Sequence, residues 1–201
     1  MSRKRKRKRC PLHLPTGNAG RLWWALAILL LAAAAWLAID QVRRARTLPA
    51  DLEPLITDHA QDADLPAQLI RAIILTESSG DPRAHSSANA RGLMQITPIT
   101  HREVIRRFDL DEADDDKLYD PGYNLDIGTR YLAYLLERFD NDLKLALAAY
   151  HMGPTAIAIL KSDHPDLTTD ELLALDGEGQ VGPKTRAYVA NVLRRAGMED
   201  D

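Results

Sequence analysis

The sequence predicts an all-α domain behind a single apolar anchor. Three features carry that expectation. Apolar residues recur at three- and four-residue steps through most of the chain from Asp51 onward, no stretch alternates polar and apolar residues with the period of a strand, and Leu22 to Ile39 contains no charge. At 201 residues the chain is long enough for one domain with a core plus an appendage. It divides into a basic tail (1–21), an anchor helix (22–39), a linker (40–50) and a body (51–201).

Residues 3 to 9, RKRKRKR, are an unbroken run of positive charge. Alone, such a run fits a nucleic-acid arm or a localisation signal, but its position ahead of LWWALAILLLAAAAWLAI assigns it differently. Those eighteen residues span about 27 Å as a helix, close to the roughly 30 Å of a bilayer's hydrocarbon core. Trp23 and Trp24 lie at one end and Trp36 near the other, where amphipathic rings favour the interface. Eight Lys/Arg precede the run and three, Arg43, Arg44 and Arg46, closely follow it. The positive-inside bias then leaves the N-terminus in the cytoplasm and exports the body, which gives a single-pass protein of the cytoplasmic (inner) membrane with its body on the periplasmic side. A cleaved signal peptide would use Ala32 to Ala35, but no polar stretch follows them. A lipoprotein would need its cysteine after the apolar run, and the only one, Cys10, precedes it. A body without cysteine suits an oxidising compartment.

Charge is divided as sharply as hydropathy. Up to Arg46 there are eleven Lys/Arg against Asp40 alone, leaving fifteen basic and twenty-eight acidic residues beyond it. An acidic body offers no phosphate-neutralising surface, so nucleic acid is not expected as a partner.

Helices follow one another through the body. Asp51 to Ala60 is the first. Asp64-Leu65-Pro66 is a start signal, with Asp64 as the cap and Pro66 in the first turn. Leu69, Ile70, Ile73 and Ile74 share one face of that helix, which ends at Glu77 before Ser78, Ser79, Gly80 and the Asp81-Pro82 turn. Pro98 to Phe108 is the next. Asp109 to Asp116, DLDEADDD, reads as a solvated loop too charged to bury. Gly122 to Phe139 carries a buried stripe through Leu125, Gly128, Tyr131, Leu132 and Leu135. Asp142 to Tyr150 and Pro154 to Lys161 are apolar helices broken at Gly153-Pro154. Thr168 to Leu175 opens on a capping box with Glu171, and Pro183 to Ala196 closes the fold with Gly197 as its stop.

Chemistry concentrates between Glu77 and Pro98. Glu77 follows Ile73, Ile74 and Leu75, an apolar wall that would desolvate a carboxyl. It also ends a helix, where the partial negative charge of the dipole opposes ionisation. Both effects favour an acid still protonated near neutrality, as glycosidic cleavage requires. Asp81, the nearest second carboxylate, belongs to a turn and is expected to hold backbone. His59, His101 and His164 have no metal-ligand spacing, and neither a metal nor a cofactor is expected.

Glu77-Ser78, Asp81-Pro82, Ala84-His85-Ser86 and Gly92-Leu93-Met94-Gln95-Ile96-Thr97-Pro98 occur in the order and spacing of one family signature. The chain resembles the soluble-lytic-transglycosylase (SLT) domain, a relative of goose-type lysozyme. Asp120-Pro121, Asn124-Leu125 and Gly128-x-x-Tyr131-Leu132 extend the resemblance, which covers roughly Leu55 to Arg195. It implies a lysozyme-like helical fold and cleavage of peptidoglycan between N-acetylmuramic acid and N-acetylglucosamine, with formation of a 1,6-anhydro ring. Glu77 would act as acid and then base, and the glycan strand would be the partner. By the same resemblance Ser86, Met94, Gln95, Tyr150 and Tyr188 would bind substrate. Two departures stand out: His151 where the family's Ala-Tyr-Asn-x-Gly-Pro has Asn, and Lys184 where its Glu-Thr-x-x-Tyr-Val has Glu. Two further readings remain at this stage, a hydrolytic muramidase of the same fold and a non-catalytic peptidoglycan-binding scaffold.

Overall fold

The computed structural model describes residues 18–44, 48–175 and 180–199, with side chains described from 23 to 36 in the first of these segments. The chain forms two compact units, 1–44 and 45–201. In the first, α1 (Asn18–Arg44) is one uninterrupted helix that runs through positions expected as linker. Its described apolar side chains are exposed, Trp23, Trp24, Ile28, Leu29, Leu30, Leu31 and Trp36 among them. Among the described residues, no helix is long and apolar enough to cross a membrane.

The second unit is helical, with α2 (Leu52–Asp62), α3 (Ala67–Glu77), α4 (Pro98–Phe108), a 3-10 turn at Asp115–Tyr119, α5 (Pro121–Arg138), α6 (Leu143–Met152), α7 (Pro154–Asp163), α8 (Thr169–Ala174) and α9 (Pro183–Ala196). Its only β-type pairings among the described residues are isolated bridges, His85 with Arg91 and Arg91 with Ile96. Helix starts follow their side chains. Thr97, Asp120 and Asp142 each accept a backbone N–H of the helix they open, and Thr168 with Glu171 completes the capping box. Asp64 departs from its expected role. It sits in the left-handed region at φ 54°, and Pro66, extended at ψ 123°, occupies the cap position without a side-chain bond.

Helix α3 packs along α9, and α6 packs against α5, α7 and α9. The interior they enclose includes Ile70, Ile73, Ile74, Leu93, Leu132, Ala146, Ala149, Ile157 and Val192, all buried. Burial of this kind is worth about 1.5–3 kcal/mol per large aliphatic side chain. The expectation of a wholly solvated acidic loop is corrected at Asp115. Its carboxyl, only a quarter exposed, accepts from Nδ1 of His101 at 2.8 Å. His101 is 1% exposed and meets the Tyr123 hydroxyl with Nε2 at 2.8 Å, so the imidazole joins α4, the 3-10 turn and α5.

Candidate active site

Residues from three helices meet around Glu77. It is the last residue of α3, Tyr150 lies near the end of α6, and Tyr188 is midway along α9. Glu77 itself is half-buried. Loss of solvent pushes its carboxyl up from 4.5 to about 7, against a smaller opposing pull from the Tyr188 hydroxyl. The direction is that expected from the apolar wall, since burial penalises the charged form.

The two tyrosines are held differently. Tyr150 donates its proton to the Met94 carbonyl at 2.8 Å and stacks on Tyr131 with ring centroids 5.5 Å apart. Its oxygen keeps lone pairs for a protonated neighbour. Tyr188 is 6% exposed, and its buried hydroxyl has no hydrogen bond of good geometry among the described residues. That hydroxyl nevertheless faces Glu77 closely enough for each group to shift the other: Tyr188 pulls the carboxyl down, and the carboxyl helps burial push the phenol up. The contact is looser than a well-formed hydrogen bond.

The segment after Glu77 is tied down by its own side chains. Ser78 donates from Oγ to the Leu93 carbonyl at 2.8 Å, joining the end of α3 to the Gly-Leu-Met-Gln turn. Asp81 accepts from the Arg83 N–H at 2.8 Å, the backbone-holding role expected of it, and it is exposed. Asn124, wholly buried, is the central clasp. Its Oδ1 accepts from Met94 N–H at 2.8 Å, and its Nδ2 donates to the carbonyls of Arg91 at 2.9 Å and Leu118 at 2.8 Å. Gly92, at φ +74°, passes so close to this clasp that a Cβ would lie 2.2 Å from the Leu118 oxygen.

The residues expected to contact substrate therefore divide. Glu77, Tyr150 and Tyr188 are brought together. Ser86 accepts the Ala90 N–H at 3.0 Å, so its hydroxyl oxygen works in the turn, and among the described residues its proton is donated to no partner. Gln95, at φ 50°, gives its amide N–H groups to Ala84 and Gly92 carbonyls at 3.2 and 3.0 Å, leaving its side-chain oxygen. Met94 is 0% exposed, and its sulfur lies against Gly128, where a Cβ would come within 2.4 Å. The Met94 side chain is thus a packing element in this structure, not a sugar-facing one, because the turn that presents its carbonyl to Tyr150 points the thioether inward. Sequence reading gave no contact to Asn124 beyond its place in the family pattern. A lone Asn in an apolar stripe is the signal that could have found it, since a buried amide must satisfy three or four hydrogen-bonding sites.

Residues 54–172, more than half of the chain, match the family described as Transglycosylase SLT domain. The soluble lytic murein transglycosylase of Salmonella typhimurium is 31% identical over 173 residues, 85% of this chain and 26% of that protein. Membrane-bound lytic murein transglycosylase E of Buchnera aphidicola subsp. Acyrthosiphon pisum is 38% identical over 87 residues, 42% of this chain and 39% of that protein. Among solved structures, an inactive mutant of lytic transglycosylase Slt from Pseudomonas aeruginosa superposes with a TM-score of 0.65 at 31% identity, over 74% of this chain and 24% of that one. The chain spans about a quarter of the length of the soluble relatives it matches.

Proposed function

From this chain's membership of the Transglycosylase SLT domain family, we propose that it is a membrane-anchored lytic transglycosylase cleaving the bond between N-acetylmuramic acid and N-acetylglucosamine in peptidoglycan. The observation that carries the reading is Glu77, a carboxyl with its proton affinity raised to about 7 and two tyrosines beside it.

An acid of that strength is half protonated near neutrality, so it can give a proton to the bridging glycosidic oxygen and afterwards take one back. In the first step Glu77 protonates the leaving oxygen as the glycosidic bond breaks, while the substrate's 2-acetamido oxygen stabilises the anomeric carbon. In the second, ionised Glu77 removes the proton from the muramoyl C6 hydroxyl, whose oxygen closes the 1,6-anhydro ring. The carboxyl ends as it began and no water is consumed. Retaining hydrolysis requires a second carboxylate about 5 Å away and inverting hydrolysis one at about 6.5–9.5 Å. Asp81, the nearest carboxylate in sequence, is exposed and engaged in its turn, which favours the single-carboxylate route. Ser86 and Gln95 contribute a hydroxyl proton and an amide oxygen for sugar substituents.

The anchor is part of the same proposal. It rests on the charge-free run 22–39, the exposed apolar side chains of α1 and the basic tail before them. The body would then work at the outer face of the cytoplasmic membrane.

The decisive measurement is the mass of muropeptides released from purified peptidoglycan by the detergent-solubilised chain and by its Glu77→Gln variant. Products lighter by one water than hydrolytic ones are expected, with about 10²–10⁴-fold less release from the variant. Hydrolytic masses would transfer the assignment to a muramidase. Binding without release from either protein would make the body a scaffold.

A further inference from the structure

The hydroxyl of Tyr188 poses a mechanical problem. It is buried, it faces Glu77, and no hydrogen bond of good geometry fixes where its oxygen sits. Something else must hold the ring, and the neighbour that does so is one of the chain's two departures from its family's pattern. His151, near the C-terminal end of α6, lies with its ring centroid 4.7 Å from that of Tyr188 and tilted by 36°. Its Nδ1 meets Thr185 Oγ1 at 3.0 Å, and Thr185, itself buried, stands one turn before Tyr188 on α9. The imidazole thus grips α9 at two points on the same face.

We propose that His151 is a positioning residue whose ring, stacked on Tyr188 and tied to Thr185, holds the Tyr188 hydroxyl against the Glu77 carboxyl. Asn, usual in the family at this position, could bond Thr185 but has no ring face to offer Tyr188.

The charged and titratable groups around this chain of contacts are few. Tyr188 faces Glu77 from α9 and Tyr150 faces it from α6. Burial, and after it the charge of Lys184 on α9, lowers the proton affinity of the His151 imidazole. Both influences disfavour the imidazolium, and the effect proposed for His151 on Glu77 runs through the placement of Tyr188. Because the Tyr188 hydroxyl favours ionised Glu77, losing its alignment should raise the carboxyl's midpoint further.

That rise is the test. In the full chain, solubilised in detergent and carrying 13C-labelled Glu carboxyls, the Glu77 resonance is identified by its loss in Glu77→Gln and titrated with pH. His151→Ala should move the midpoint up by at least about 0.3 unit, a twofold fall in acid strength. Tyr188→Phe should move it the same way, and His151→Ala/Tyr188→Phe no farther than Tyr188→Phe alone. His151→Phe keeps the ring but loses the Thr185 tie, and should move the midpoint less than His151→Ala does. If His151→Ala folds poorly, His151→Asn, which lacks the ring, is read in the same way. An unmoved midpoint in both ringless variants overturns the proposal. So does an unmoved midpoint in Tyr188→Phe, or additive shifts in the double variant. The functional meaning of the contact rests on Glu77 as the acid of a transglycosylase. The titration reads the contact whether or not peptidoglycan is cleaved, so the two proposals fail separately.

Discussion

Glu77 holds its proton more tightly in the folded protein than its ordinary value of 4.5 would allow. Folding therefore favours the protonated form, and the associated stability is complete below about pH 4.5, is lost as pH rises toward 7, and stays lost above it. The rise from 4.5 to about 7 corresponds to ~3 kcal/mol at most. Glu77→Gln cannot ionise and escapes that loss. Its thermal midpoint should match wild type near pH 4 and exceed it at pH 8, and a variant no more stable at pH 8 would mean that the carboxyl is better solvated than its burial indicates. The direction of the Glu77 shift was legible in the sequence, because the apolar wall that precedes it acts locally. The orientation of Met94 was not. Whether a side chain in a tight turn faces sugar or core depends on what lies across from it, here the backbone of Gly128.

At the scale of elements, the loop between α3 and α4 owes its shape to contacts from α5 and to two close approaches. Gly92 combines a left-handed backbone with a Cβ position 2.2 Å from a carbonyl oxygen and 2.4 Å from the Asn124 amide. A backbone atom cannot move aside, so Gly92→Ala should cost about 3 kcal/mol or more. Gly128→Ala meets mainly the Met94 side chain, which can rotate, and should cost less, about 1–3 kcal/mol. Chemical denaturation of the two variants orders the costs, and equal values would show that the loop yields as easily as a thioether. Helix spans were well foreshadowed by periodicity, as α4 and α9 illustrate with bounds as expected, Pro98–Phe108 and Pro183–Ala196. The links between helices were not, because the His101 imidazole joins Asp115 and Tyr123 across fourteen and twenty-two residues of separation. No pattern within one helix reports such a bond.

For the whole molecule, the division into units 1–44 and 45–201 places every buried core residue among the described ones in the second, from Leu52 to Leu193. The fragment 45–201 should fold alone and leave the membrane fraction, whereas the full chain should resist extraction by alkaline carbonate. Equal thermal midpoints for the two would confirm that the core is self-sufficient, and a soluble full chain would remove the anchor from the proposal. Charge asymmetry and the apolar run point instead to a boundary within 40–50, since both are properties of composition and need no knowledge of contacts. The clasp on the loop is a different matter. Ser78, Asn124 and Gln95 already hold the turn from within, through bonds to Leu93, Met94, Arg91, Leu118, Ala84 and Gly92. A glycan strand would meet a surface whose conformational freedom was surrendered during folding, so the entropy lost on association would belong almost wholly to the sugar.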